Sequence, residues 1–350
     1  MLKQLLEFRE TDRTWHIPVL AGLSVGIPIL AGYFTGNLPG GKLASMSGLV
    51  ILYIHSFRIA NRLIILMTCS FGIMISFAVG SLFSFNPLLA PLVLGLYAFV
   101  VHVALYYLKM TRPPGNFFFI MIASVAICMP FKLEAIPQNI GFVGIGTMIS
   151  FALGLIYSLL TSKNYSADSE AFTVDKSKYV NLIESATFGC MVGLALLIAN
   201  LLKLENPYWA PTSCAAVMQG MSTRHIWLRS IQRIVGTFIG LGLTWVILLL
   251  QPTLLILCVS IIGLQLIVEF LVVRNYAVAV IFITILTIFL AESGTSLTVD
   301  PTTLIIARFI DIFIGSMIGA VGGWMLYNER LQYKATRQIR RTKILIAGRK

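Results

Sequence analysis

Arginines supply the first chemistry. Arg58 and Arg62 are spaced i,i+4, as are Arg229 and Arg233, so each pair lies on one helix face. A guanidinium is permanently charged, and its planar fork of N–H donors matches a carboxylate. Four of them around one end of a bundle would form a funnel that concentrates anions. The same four could instead do no more than anchor the chain beside a membrane surface. Arg308 and Asp311 are opposite charges inside a single apolar stretch. A charge at mid-bilayer costs about 2.5–3.5 kcal/mol on insertion scales, so both are expected to face the interior of a bundle. Their i,i+3 spacing allows an internal ion pair, or a place in a substrate or proton path. Glu269 and His102 sit near the ends of apolar runs, where either carries a coupling proton or snorkels to the interface. Tyr208 and Trp209 offer an aromatic wall for a planar acid, or belong to an interfacial aromatic belt.

Enzyme signatures are missing. There is no P-loop, no Gly-x-Ser-x-Gly, no His-Glu-x-x-His and no EF-hand loop. His16, His55, His102 and His225 are scattered, and the cysteines (Cys69, Cys128, Cys190, Cys214, Cys258) show no metal-ligand spacing. Neither a metal, a cofactor nor an enzymatic activity is expected.

The elements that must position these groups are apolar. The chain has 350 residues, of which 57% are hydrophobic and 11% charged, against roughly 25% charged in a soluble domain. Apolar runs recur from Ile17 to Tyr327, more than one soluble core could absorb. A polytopic all-α membrane protein is implied; a cytosolic enzyme, a secreted disulfide scaffold and a nucleic-acid binder are excluded. Met1–Arg13 balances three acids with three bases and holds no apolar core of a signal peptide.

Twelve helical segments are expected. Those of the first half are Ile17–Tyr33, Leu43–Ile54, Leu63–Phe83, Leu88–Leu108, Phe117–Met129 and Ile140–Leu160. Those of the second are Val180–Leu202, Tyr208–Met221, Ile231–Leu250, Leu254–Val273, Tyr276–Leu290 and Leu304–Tyr327. Both halves run long, short, long, long, short, long, which suggests a duplication. The expected organisation is a divergent first six-helix repeat (1–162), a linker (163–178), a second repeat (179–328) and a basic tail (329–350). With the N-terminus inside, 22 of the 26 Lys and Arg residues fall on the cytoplasmic side, as the positive-inside rule requires. Six crossings per half make the repeats parallel, related by a pseudo-two-fold along the membrane normal. Short segments paired across two halves point to a transport site. Gly236 with Gly240, and Gly315 with Gly319, are GxxxG pairs suited to close helix packing.

The second half carries four stretches of specific character: NPYWAPTSCAAVMQG at Asn206–Gly220, RHIWLRSIQRIVGTFIG at Arg224–Gly240, VRNYAVAVIFITILT at Val273–Thr287 and ARFIDIFIGSMIG at Ala307–Gly319. Together these resemble the fusaric-acid-resistance and aromatic-acid-exporter family of bacterial inner-membrane proteins. The likeness covers Val180–Tyr327, and plant aluminium-activated malate channels look distantly similar. The resemblance implies a secondary exporter of small organic, often aromatic, acids at the inner membrane, with both termini cytoplasmic. It adds Arg274 and Tyr276, of the Arg-Asn-Tyr segment, to the candidate path. Larger family members carry cytoplasmic helical domains that this chain does not match, which leaves an adaptor protein undecided. Lipid and a small organic anion are the expected partners, with room for a homo-oligomer and no role for nucleic acid. A passive anion channel is the alternative, followed by a lipid-acting enzyme or a scaffold.

Overall fold

The computed structural model describes residues 13–54, 59–161, 178–220, 222–292 and 301–328, with a few single positions beyond them. Twelve α-helices appear in the described residues, matching the twelve expected segments in order. They are α1 His16–Phe34, α2 Leu38–Gly48, α3 Ile59–Leu82, α4 Ala90–Tyr107, α5 Phe117–Ile127 and α6 Ile136–Thr161. The series continues with α7 Lys178–Leu201, α8 Trp209–Met218, α9 Thr223–Leu249, α10 Leu254–Leu271, α11 Tyr276–Glu292 and α12 Pro301–Leu326. No β-strand occurs among the described residues. Arg58 and His55, the linker and most of the tail lie outside them.

Eight helices (α1, α3, α4, α6, α7, α9, α10 and α12) are long and apolar enough to cross a bilayer. The others are short, and α2, α5 and α8 have 11, 11 and 10 residues. At 1.5 Å per residue these reach only about 15–17 Å, half of a hydrocarbon core of about 30 Å. Their surroundings make up for it: every residue of α8 is buried. Local sequence sets the lengths. Asn37 caps α2 by accepting a hydrogen bond from the Gly40 amide, Pro39 fits the first turn, and Leu49–Tyr53 tightens into a 3₁₀ turn.

Helix α3 shows how the long helices sort their faces. Ile64, Met67, Phe71 and Ile75 form an exposed apolar stripe, while Arg62, Cys69, Ser76 and Gly80 are buried. The outward face is the greasier one, as a lipid solvent requires.

Helix contacts repeat between the halves. In the first, α1 packs on α2, α2 on α6, α3 on α5 and α6; in the second, α7 packs on α8, α8 on α12, α9 on α11 and α12. The halves interlock by two equivalent contacts, α4 on α7 and α10 on α1. At matching places, Gly146 of α6 lies against the Ala44 carbonyl and Gly315 of α12 against the Ala210 carbonyl. A Cβ at either would collide with that backbone.

Two helix starts move by more than four residues. Helix α9 starts at Thr223, not Ile231, because Ser222 accepts a hydrogen bond from the His225 amide and caps it. Arg229 and Arg233, expected on one helix face, thus belong to α9 itself, with Arg233 turned inward. Helix α2 likewise starts at Leu38, ahead of the expected Leu43.

Candidate functional site

Four helices of the second half turn their polar residues toward one another: α8, α9, α11 and α12. On α9, Arg229, Arg233 and Thr237 follow at i,i+4 along one face. The Arg233 guanidinium is 5% exposed; its Nη1 donates to the Tyr276 hydroxyl (3.1 Å) and its Nη2 to Ser213 Oγ (3.1 Å). Arg229 lies over the Tyr276 ring, 4.1 Å from its centroid. One tyrosine thus serves two cations, with its face for Arg229 and its hydroxyl for Arg233.

Further along, Arg308 of α12 is 5% exposed and lies over the Trp209 ring, 3.0 Å from the centroid. Its Nη2 donates to Thr287 Oγ1 at 2.6 Å. Tyr208 packs on Trp209 with ring centroids 4.9 Å apart. Arg308 also lies within electrostatic range of Arg233, Tyr208 and Asp311. Asp311 is fully buried, and neither of its carboxylate oxygens has a hydrogen-bond partner. The Arg308–Asp311 ion pair that the i,i+3 spacing allows is therefore not formed. Arg308 is drawn instead to an aromatic face on α8 and a hydroxyl on α11.

Charge accounting tells what this arrangement can do. Three guanidiniums are set against Asp311, with the exposed Glu205 near it, so positive charge is in excess whatever the state of either carboxylate. A cation–π contact returns about 2 kcal/mol when desolvated, less than the several kcal/mol that burying an ion costs. The Nε–H groups of Arg229, Arg233 and Arg308 and the Trp209 indole N–H are buried without acceptors. Buried donors are normally satisfied. Four unmet donors beside excess positive charge suit an anion, and the rings suit a flat one.

Other candidates lie elsewhere. Arg62 is buried in the first half, where it donates to Ser158 (3.2 Å) and Thr161 (3.4 Å) of α6 and lies 5.2 Å from the centroid of the Tyr157 ring. Arg274 is exposed at the start of α11. Glu269 is held by Arg13, with Nη2 to Oε2 at 2.9 Å, and accepts from Gln265 at 3.2 Å. His102 Nδ1 meets the Asn116 amide nitrogen at 3.1 Å, and its ring packs on Phe188. None of these four joins the arginine cluster. Gly236 and Gly240 lie against the backbone of α11, and Gly315 and Gly319 against that of α8.

Sequence reasoning passed over Ser213, Thr237 and Thr287, the hydroxyls that complete the cluster. A signal was present: Ser213 follows Trp209, and Thr237 follows Arg233, by one helical turn. Among the described residues no group of His, Cys, Asp and Glu could hold a metal ion.

Residues 194–322 match the family model described as fusaric acid resistance protein-like, a span that includes every member of the cluster. An uncharacterized membrane protein, YvaC of Bacillus subtilis (strain 168), is 34% identical over 246 residues, covering 69% of this chain. The chain spans 38% of that relative's length. No solved structure matches. Apolar helices with inward polar faces make this a polytopic helical membrane protein. Its residues 194–322 place that segment in the fusaric acid resistance-like family.

Proposed function

We propose that the protein is a secondary transporter that exports small organic anions, aromatic or other weak acids, across the inner membrane. One observation carries the reading. Two buried guanidiniums, Arg233 and Arg308, and the half-buried Arg229 present unmet Nε–H donors between α8, α9, α11 and α12, with Arg229 and Arg308 on aromatic faces. The family match over the same helices supports it. Substrate is captured at Arg229 and Arg233 on the cytoplasmic side and passed to Arg308 beside Trp209. The matched helix lengths and contacts of the two halves support a parallel duplication, with both termini cytoplasmic under the positive-inside rule.

The test is flux from proteoliposomes loaded with benzenesulfonate, an aromatic anion that stays ionised and so does not leak through lipid as a neutral acid. Flux should be saturable and inhibited by related aromatic carboxylates. Flux no greater than from protein-free liposomes, for benzenesulfonate and naphthalenesulfonate alike, would end the transporter reading.

A further inference from the structure

We infer that Asp311 is the proton-binding partner of the transported anion, and that proton and anion move together in the same direction. This rests on the anion-transport reading above, and goes beyond it by fixing the sense of coupling. The geometry is a choice offered to Arg308. One turn separates it from Asp311 on the same face of α12, so a carboxylate stands within reach of the guanidinium. The structure shows Arg308 turned away, over Trp209 and bonded to Thr287, while both Asp311 oxygens are buried without a partner.

An ionised carboxylate is not stable in that condition. Either Asp311 is ionised and Arg308 swings back to it, or Asp311 takes a proton and Arg308 is released. In the first state Arg308 is neutralised by its own helix, and the carboxylate repels an incoming anion. In the second, Arg308 rests on Trp209 with its Nε–H unmet and accepts the anion. Protonation is a simple addition: one proton from water joins one carboxylate oxygen, and the same proton leaves when the anion does. Anion and proton therefore favour each other's binding, and linkage makes the effect reciprocal.

The other charged and titratable groups around Asp311 leave it this role. Besides Arg308 on its own helix, Glu205 faces it from the approach to α8 and Cys128 from the end of α5, while Tyr208 and Arg233 face Arg308. Glu184 of α7 lies near Tyr327 at the far end of α12. Glu205 is exposed and supplies no donor to Asp311. Of the other acids considered for coupling, Glu269 already has Arg13 as its ion partner.

The consequence separates two kinds of exporter. An anion–proton exchanger needs the two ligands to exclude each other; here they need each other. The acid leaves with its proton, electroneutrally, down its own gradient.

The experiment uses the full chain in phosphatidylethanolamine–phosphatidylglycerol liposomes loaded with benzenesulfonate and a pH dye. Efflux should make the lumen more alkaline, with about one proton per anion and no need for a compensating ion. The apparent affinity should rise by about tenfold between pH 8 and pH 6, a coupling of the usual allosteric size. Asp311→Asn should still carry the anion, but without protons and with a flux that responds to a potassium diffusion potential. Anion flux with no pH change, a lumen that acidifies, or proton coupling that survives in Asp311→Asn would each overturn the inference while leaving transport intact. No anion flux in the parent would remove the transport reading itself. Should Asp311→Asn fail to fold, calorimetry on the parent decides. Benzenesulfonate binding in two buffers of different ionisation enthalpy should show proton uptake; zero uptake or release overturns the proposal.

Discussion

The second half of the chain places three arginines and an aspartate among α8, α9, α11 and α12; the corresponding helices of the first half, α2, α3, α5 and α6, assemble no such cluster. Both sets have similar lengths and the same packing partners. Register exposes the contrast. Gly146-Thr147-Met148-Ile149 on α6 lines up with Gly315-Ser316-Met317-Ile318 on α12, each glycine against its short helix. Counting back from there, Asn139 stands where Arg308 does, and Phe142 where Asp311 does. Gly80 on the Ala123 carbonyl matches Gly240 on the Ile281 carbonyl, which puts Ile73 where Arg233 stands; Arg62 lies nearer the start of α3, its guanidinium occupied by Ser158 and Thr161 of its own half. Where α3, α5 and α6 end and begin, the first half holds a cavity of about 180 Å³ lined by Ser81, Ser84, Met129, Lys132 and Asn139, among others. Similar packing does not bring similar side chains; a few residues on matching faces decide which half holds buried charge.

That contrast can be broken by paired substitutions. The largest effect is expected from Arg308→Gln, which removes a buried, hydrogen-bonded charge worth about 2–5 kcal/mol when truncated. Benzenesulfonate flux should fall by about 100-fold, while Asn139→Ala, its first-half counterpart, should change flux less than about twofold. Equal losses from the two would mean that both halves carry the substrate.

Next in size is Arg233→Gln. Capture should weaken, so the half-saturating concentration rises by about tenfold, near 1.4 kcal/mol, and the maximal rate survives. Arg62→Gln should act through stability instead, lowering the melting temperature because α3 loses its ties to α6, with the half-saturating concentration unchanged. A transport defect in Arg62→Gln that high substrate rescues would return the first half to the path.

The smallest expected signal concerns orientation alone. In a cysteine-free background, Thr35→Cys, between α1 and α2, and Lys203→Cys, between α7 and α8, should both react with an impermeant thiol reagent added outside. Arg337→Cys should not. Parallel repeats require the two loops to share a side, whereas an inverted pair would label one and spare the other.

Much of this was legible in the sequence. Apolar runs gave the helices and their short–long alternation, because membrane solvent enforces both. Arg229, Arg233, Tyr208, Trp209, Tyr276, Arg308 and Asp311 are all brought into one neighbourhood. What the spacing could not reveal was partner choice. An i,i+3 pattern permits an Arg308–Asp311 pair, but Trp209 and Thr287, from other helices, compete for the cation. Glu269 read as a loose interfacial acid because Arg13 is 256 residues away. The apolar run sets the start of α9 late, at Ile231, although the i,i+4 spacing of Arg229 and Arg233 already indicates a helix.

The crossed contacts between the halves also bear on how the protein is made. Helix α1 settles against α10, and Arg13 reaches a glutamate translated 256 residues after it. At about 5–20 residues per second, the ribosome needs roughly 13–50 s to deliver that partner. Until then, the face of α1 that holds Gly22 and Gly26 against Ile262 and Leu266 has only lipid or the insertion machinery beside it. Neither half can finish alone. Biogenesis is a wait followed by a closing of the ring, and a chain cut between α6 and α7 should be recovered only when both fragments are synthesised in the same cell.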